Sequence, residues 1–206
     1  MELRLDKFQD KNLIPGLRGI IPSLHTPFNQ DNSLDLVSLK KLVEHTIMTG
    51  CAGMLVGAVA GETSSLSLQE KQKVMDCCIK QNNNRIPIIV GCSADNQEAR
   101  IKLSKSAKEA GAEWFLCQAP NDLKGKELLE CFLELSEVGP DNLMIQDLSW
   151  SDNGMDDDDI LRLYQNLEKF KAFKIEVLNS GPKYSRVLKA TNNKLHLSGG
   201  WAIMGM

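Results

Sequence analysis

The 206-residue sequence predicts an α/β fold, and within that class a (β/α)8 barrel rather than an open doubly wound sheet. Three observations carry the prediction. Strand-like and helix-like patterns alternate from residue 19 to residue 198. The strand-like runs are short and continuously apolar, so both faces are buried, as in a parallel sheet. The repeat is roughly 30 residues per strand-and-helix unit, the spacing of a barrel of about 250 residues. Against the open sheet, no G-x-G-x-x-G loop follows the first strand.

The elements follow in order. Residues 1–17 read as a polar lead-in that reaches Pro15-Gly16, and 18–206 as the barrel domain. Gly19-Ile20-Ile21-Pro22-Ser23-Leu24 is the first strand, closed by a turn at Thr26-Pro27-Phe28-Asn29. From Leu34 to Met48 the apolar residues Leu36, Leu39, Leu42, Val43 and Ile47 recur at helical spacing, and Gly50 stops the helix. Met54-Leu55-Val56 is the second strand. Ser67 opens the next helix with Glu70 three residues on, a capping-box pattern. Then come a strand at 86–90, a helix at 96–110, a strand at 114–117, a helix at 126–137 and a strand at 143–145. A helix at 157–168, a strand at 172–177, a helix at 183–191 and a strand at 195–198 complete seven strands and six helices. The run Asp156-Asp157-Asp158-Asp159 sits at a helix start, where acidic side chains meet the positive end of the dipole. It lacks the spaced ligands of a calcium loop.

Composition bounds the function. Apolar residues make up 42% and charged residues 25% of the chain, ordinary values for one large domain with a real core. The net charge is −3 with no basic stripe, so nucleic acid is not an expected partner. No apolar run has the length of a membrane span, so no membrane partner is expected. The start of the chain has no signal-peptide core, and a cytoplasmic location is expected. The six cysteines, Cys51, Cys77, Cys78, Cys92, Cys117 and Cys131, form no paired CxxC set, so no metal is expected. In apolar runs they act as small hydrophobes, which fits a reducing compartment.

Lys174 stands out, because it lies near the end of a short apolar strand between Phe173 and Ile175. A lysine amine attacks a ketone only when unprotonated. A free lysine titrates near 10.4, so such a group needs desolvation or a neighbouring cation. Taken alone, Lys174 reads first as a strand-end lysine whose head reaches solvent. Upstream, a glycine-bounded turn, Gly57-Ala58-Val59-Ala60-Gly61-Glu62-Thr63, follows an apolar strand.

Several motifs then fall in a specific order: Gly19-Ile20-Ile21-Pro22 with Thr26-Pro27-Phe28, Gly61-Glu62 with Leu66-Ser67, Pro87-Ile88-Ile89-Val90-Gly91, Ala119-Pro120 and Lys174. Together they resemble the dihydrodipicolinate synthase / N-acetylneuraminate lyase family of class I aldolases, which are TIM (β/α)8 barrels. The likeness runs from about residue 18 to the last residue. Met144-Ile145-Gln146-Asp147, Lys174-Ile175-Glu176, Gly181-Pro182-Lys183 and Ser198-Gly199-Gly200-Trp201 look like the branch that includes 2-keto-3-deoxy sugar-acid dehydratases.

The resemblance implies a Schiff-base-forming lyase acting on pyruvate or a related 2-oxo acid, with Lys174 as nucleophile. No cofactor is implied, because the iminium is itself the electron sink. It implies that Ala60, Gly61, Glu62 and Thr63 hold the substrate carboxylate through backbone N–H groups and hydroxyls, glycine allowing close approach. Four departures stand out. The family's paired threonines are Val59 and Ala60 here; Thr63, Ser64 and Ser65 either donate instead or cap the next helix. The family's proton-relaying tyrosine is Gln146, which hydrogen-bonds but does not titrate. Asn121 and Asp122 stand where a tyrosine pair is expected, and no arginine occurs in Leu148-Ser149-Trp150-Ser151-Asp152. A dehydratase or a different aldolase suits this changed relay better than dihydrodipicolinate synthesis.

Glu176 shares a strand face with Lys174, and is either a helper in catalysis or its salt-bridge partner. Gly199 and Gly200 either approach a ligand or close the strand. His25 ends the first strand with no motif around it, His45 lies in a helix, and His196 reads as a core residue. By resemblance the protein is a homo-oligomer, a tetramer or dimer. A family member has an eighth strand, so this chain reads as a barrel truncated after strand seven. The competing reading, motivated by Val59, Ala60 and Gln146, is a degenerate barrel that binds a metabolite or partner without turnover.

Overall fold

The computed structural model describes residues 17–200; nearly all of the lead-in, and the tail from Trp201, lie outside the described residues. Six parallel strands make one sheet: β1 (Met54–Val56), β2 (Ile88–Gly91), β3 (Trp114–Gln118), β4 (Asn142–Leu148), β5 (Phe170–Glu176) and β6 (His196–Gly199). They lie side by side in chain order, every pair parallel. A doubly wound sheet reverses strand order at a switch point. This sheet has no reversal, so it is a half-barrel, and the open-sheet alternative is excluded.

Six helices accompany it: α1 (Leu36–Met48), α2 (Leu68–Asn82), α3 (Gln97–Glu109), α4 (Gly125–Val138), α5 (Asp157–Asn166) and α6 (Ser180–Ala190). Each packs on its neighbour in sequence, giving a single outer row. The unbroken apolar runs of the strands have a direct cause. Phe115, Cys117, Leu143, Ile145, Phe173 and Ile175 face the helices and pack on Leu128, Phe132, Leu135, Leu163 and Val187. Residues of opposite parity, Leu55, Ile89, Trp114, Leu116, Met144 and Ala172, form a second buried layer on the inner face. Both faces are covered, so neither carries a polar alternation.

The expected first strand is corrected. Segment 20–24 lies beside β1 but makes only one bridge, Ser23 to Leu55, so the described residues hold six strands rather than seven. Its bonds are Ala52 N to Ile20 O at 2.9 Å, Leu55 N to Pro22 O at 2.9 Å and Leu24 N to Leu55 O at 2.8 Å. Pro22 has no N–H to carry the ladder further.

β4 and β5 extend beyond the expected 143–145 and 172–177 at one or both ends, and their longer pairing carries the site. Helix α6 starts three residues before the expected position, because Pro182 sits in its first turn, where a missing N–H costs nothing. Ser67 and Glu70 form the expected capping box.

Candidate functional site

The register of the sheet builds the site. Gln118 of β3 pairs with Gln146 of β4, Gln146 with Lys174 of β5, and Lys174 with Ser198 of β6. Lys174 and Glu176 share the inner face with Ala172, since side chains alternate along a strand. Four polar residues therefore stand in one row across the inner face, just beyond the apolar layer of Leu116, Met144 and Ala172.

Glu176 gathers the centre of this row. Its Oε2 forms an ion pair with the Lys174 ammonium at 2.9 Å and accepts a hydrogen bond from Gln146 Nε2 at 2.5 Å. The Lys174 and Glu176 side chains are only 13% and 8% exposed, and Gln146 is buried. Lys174 is thus neither a snorkelling surface lysine nor an unpartnered one. Glu176 is its ion-pair partner and the titratable side chain that touches it. The other carboxylate oxygen lies against Gly200: a Cβ there would collide with Glu176 Oε1 and come within 3.0 Å of Lys174 Cε. Gly199 has a matching neighbour on the helix side, since its Cβ would stand 2.6 Å from the Tyr184 hydroxyl. Burial pushes the Tyr184 phenol up to about 12, and the Glu176 charge adds to the effect.

The turn after β1 folds as two short 3-10 turns, Val59–Gly61 and Thr63–Ser65, with Glu62 between them in the left-handed region at φ 56°. It is pinned to the segment before α1. Thr26 Oγ1 donates to the Gly61 carbonyl at 2.6 Å, and His25 Nδ1–H donates to the Ala60 carbonyl at 2.9 Å. A Cβ at Gly61 would stand 2.8 Å from the Leu24 carbonyl, so this approach requires glycine. His25 thereby acquires a role that the sequence alone did not assign.

Two cavities flank the polar row. One, of 380 Å³, is lined by Lys174, Met144, His196, Ser198 and Gly199, and by Leu17 and Ile21 from the opposite edge of the sheet. The other, of 320 Å³, lies at the C-terminal ends of β1 to β3, lined by Val59, Thr63, Ser64, Lys71, Ser93, Gln118 and Asn121. Thr63 therefore lines a different cavity from Lys174, and Gln118 belongs both to that cavity and to the Lys174 row. Gln118 was missed from sequence; its signal is a polar residue ending an apolar strand in the same row as Gln146.

His196 is half-buried below Lys174, and burial, with the charge of Arg18, holds its imidazole below the usual value. His45 lies exposed at the end of α1. The cysteines are free thiols. Burial pushes the Cys117 thiol up to about 12 and raises Cys78 and Cys92 further, so these do not supply a nucleophile. Among the described residues no group of three His, Cys, Asp or Glu side chains converges as a metal site. No helix among them is long and apolar enough to cross a membrane.

The loop after β4 is fixed by a buried ion pair. Lys183 of α6 donates to Asp147 Oδ2 at 2.5 Å and to the carbonyls of Asn153 and Met155 at 2.7 and 2.6 Å. Asp147, next to Gln146 but facing the helices, also accepts from Met155 N at 3.0 Å.

Residues 16–201 match the family described as the dihydrodipicolinate synthetase family. A 4-hydroxy-tetrahydrodipicolinate synthase of Thermus thermophilus is 34% identical over 126 residues, 60% of this chain and 42% of the relative. One from Rickettsia canadensis is 36% identical over 107 residues, 52% of this chain and 36% of the relative. The crystal structure of dihydrodipicolinate synthase from Aquifex aeolicus superposes with a TM-score of 0.81 at 25% identity, covering 88% of this chain and 62% of that one. That of the Acinetobacter baumannii enzyme complexed with pyruvate gives 0.80 at 28% identity, covering 88% and 63%. The chain spans less than two thirds of the length of these relatives.

Proposed function

The chain belongs to the dihydrodipicolinate synthetase family, and from that premise we propose that it is a Schiff-base-forming lyase, an aldolase or dehydratase, acting on pyruvate or a related 2-keto-3-deoxy acid. The half-barrel is then part of a TIM (β/α)8 barrel, and the protein a homo-oligomer in the cytoplasm. The observation that carries the reading is the Lys174 amine, 2.9 Å from the Glu176 carboxylate on the inner face of the sheet.

The chemistry proceeds through named groups. Glu176 takes a proton from the Lys174 ammonium, and the free amine attacks C2 of the 2-oxo acid. The carbinolamine loses water to give an iminium. The iminium accepts the electron pair released when the C3 proton leaves, or when the C3–C4 bond breaks as the C4 hydroxyl loses its proton. Reprotonation at C3 in the cleavage case, or loss of hydroxide from C4 in the dehydration case, leads on to hydrolysis and release of Lys174. Glu176 is the base in this scheme, because Gln146 has no proton to exchange. Gln146 orients it by donating to the same oxygen. The turn around Ala60 takes the carboxylate in this reading, through the Ala60 N–H, because those of Gly61 and Glu62 already donate to the Ala58 and Val59 carbonyls, and Gly199 and Gly200 leave room beside the lysine.

Borohydride trapping with pyruvate tests the proposal. Intact mass and peptide mapping are expected to place a reduced adduct on Lys174, lost in Lys174→Ala. A folded sample without that adduct overturns the enzyme reading and leaves a degenerate barrel that binds without turnover, the reading that Val59 and Ala60 favour.

A further inference from the structure

We propose that Gln118 determines specificity, by hydrogen-bonding a hydroxyl on the tail of a polyhydroxylated 2-oxo acid held at Lys174. The inference rests on the Schiff-base reading of Lys174 and names the part of the substrate that pyruvate lacks.

Gln118 is in register with Gln146, which is in register with Lys174, and all three side chains share the inner face. Neighbouring strands stand about 4.8 Å apart, so β3 is about 10 Å from β5. A three-carbon acid fastened to Lys174 stops short of β3, whereas a chain of about six carbons crosses the Gln146 position and reaches Gln118. The backbone around Gln118 is already held: its N–H donates to Ser93 Oγ at 2.9 Å, and the next residue, Ala119, donates its N–H to the Gln146 carbonyl at 2.9 Å. The side-chain amide is half-buried and, among the described residues, has no hydrogen-bond partner. It lines the 320 Å³ cavity with Thr63, Ser93 and Asn121, a space polar enough for hydroxyl groups beyond C4.

An amide donates and accepts, so one glutamine satisfies a hydroxyl in both roles. A neutral amide of this kind also discriminates. A substrate that lacks the hydroxyl leaves the amide without its partner, and a site built around such a bond rejects the deoxy analogue strongly. Gln118 is a contact residue for the tail and takes no proton.

The test compares the half-saturating concentration for borohydride trapping on Lys174 by three probes: pyruvate, a six-carbon 2-keto-3-deoxy sugar acid, and 4-hydroxy-2-oxopentanoate, which has no hydroxyl beyond C4. The wild-type protein is expected to trap the six-carbon acid at a concentration at least about tenfold lower than the five-carbon acid. Gln118→Leu is expected to erase that preference while leaving pyruvate trapping unchanged. Pyruvate trapping without any preference for the hydroxylated tail overturns this inference and spares the Schiff-base reading. So does an equal loss on all three probes in Gln118→Leu, which marks a structural role. No pyruvate adduct in the wild type overturns both.

Discussion

Glu176 Oε2 forms an ion pair with Lys174 Nζ at 2.9 Å and accepts from Gln146 Nε2 at 2.5 Å, and in the proposed scheme the fate of one proton depends on that arrangement. Glu176→Gln keeps the shape and removes the proposed base. The rate of pyruvate trapping is expected to fall about a hundredfold, in line with the contribution of a positioned acid or base. An unchanged rate would return Glu176 to a purely structural ion pair. His196 carries a second prediction. Burial and the Arg18 charge hold its folded value below the usual 6.5, so the folded state prefers the neutral ring. The unfolded chain then binds more protons below about 6.5. The stabilisation is present in full above that pH and is lost as pH falls from there through the lowered folded value. Urea midpoints between pH 7.5 and pH 5, compared with those of His196→Gln, check this: the wild type loses more on acidification, and parallel slopes would refute it. Lys174 and Glu176 were legible as a pair because a strand puts residues two apart on one face. Gln118 was not, because no local pattern tells which residue of a strand 56 positions upstream shares a row with Lys174; only the register through β4 does.

At the scale of elements, the inner-facing site depends on an outer-facing staple. Lys183 and Asp147 are 2% and 3% exposed, and the ammonium also holds the carbonyls of Asn153 and Met155, so α6 is tied both to β4 and to the loop that follows it. Removing one partner leaves a buried charge. Lys183→Met is expected to cost about 3–5 kcal/mol by chemical denaturation, and the double variant with Asp147→Leu to regain much of it. A loss under about 1 kcal/mol in the single variant would mean that water reaches Asp147. The sequence reading begins this helix at Lys183. The actual start at Ser180 puts Pro182 inside the first turn and Lys183 on the buried face. The helices with strong caps were read to within a residue or two, as at Ser67 and Asn96, because a side-chain cap is a local signal. The first strand was over-read, because its apolar run says nothing about the donor missing at Pro22.

The whole molecule divides unevenly. One buried cluster joins α1, β1 and α2 through Leu39, Val43, Val56, Val74 and Cys78. A larger one joins β2 to β6 with the later helices, centred on Phe115, Phe132, Phe173 and Leu135. β3, β4 and β5 are paired on both sides and include the two longest strands, whereas β1 meets only the single Ser23 bridge on its outer side. Cooperative units that bury fewer groups and expose more backbone open at lower free energy. Native-state hydrogen exchange is therefore expected to show the amides of Cys117, Ile145 and Phe173 opening only with global unfolding. The amides of Leu55 and of α1 open first, at a lower free energy. The division matters for the proposed chemistry. Lys174, Gln146 and Glu176 all sit on the slowly opening unit, while the turn from Val59 to Ser65 follows β1 and is pinned by His25 and Thr26 to the other. With the proposed nucleophile on a rigid frame and the proposed carboxylate-binding turn on a softer one, the turn is free to move over a bound acid without disturbing the lysine. Equal protection across both units would remove that freedom, and with it the reason to expect substrate to slow exchange at Glu62 and Thr63 more than at Lys174.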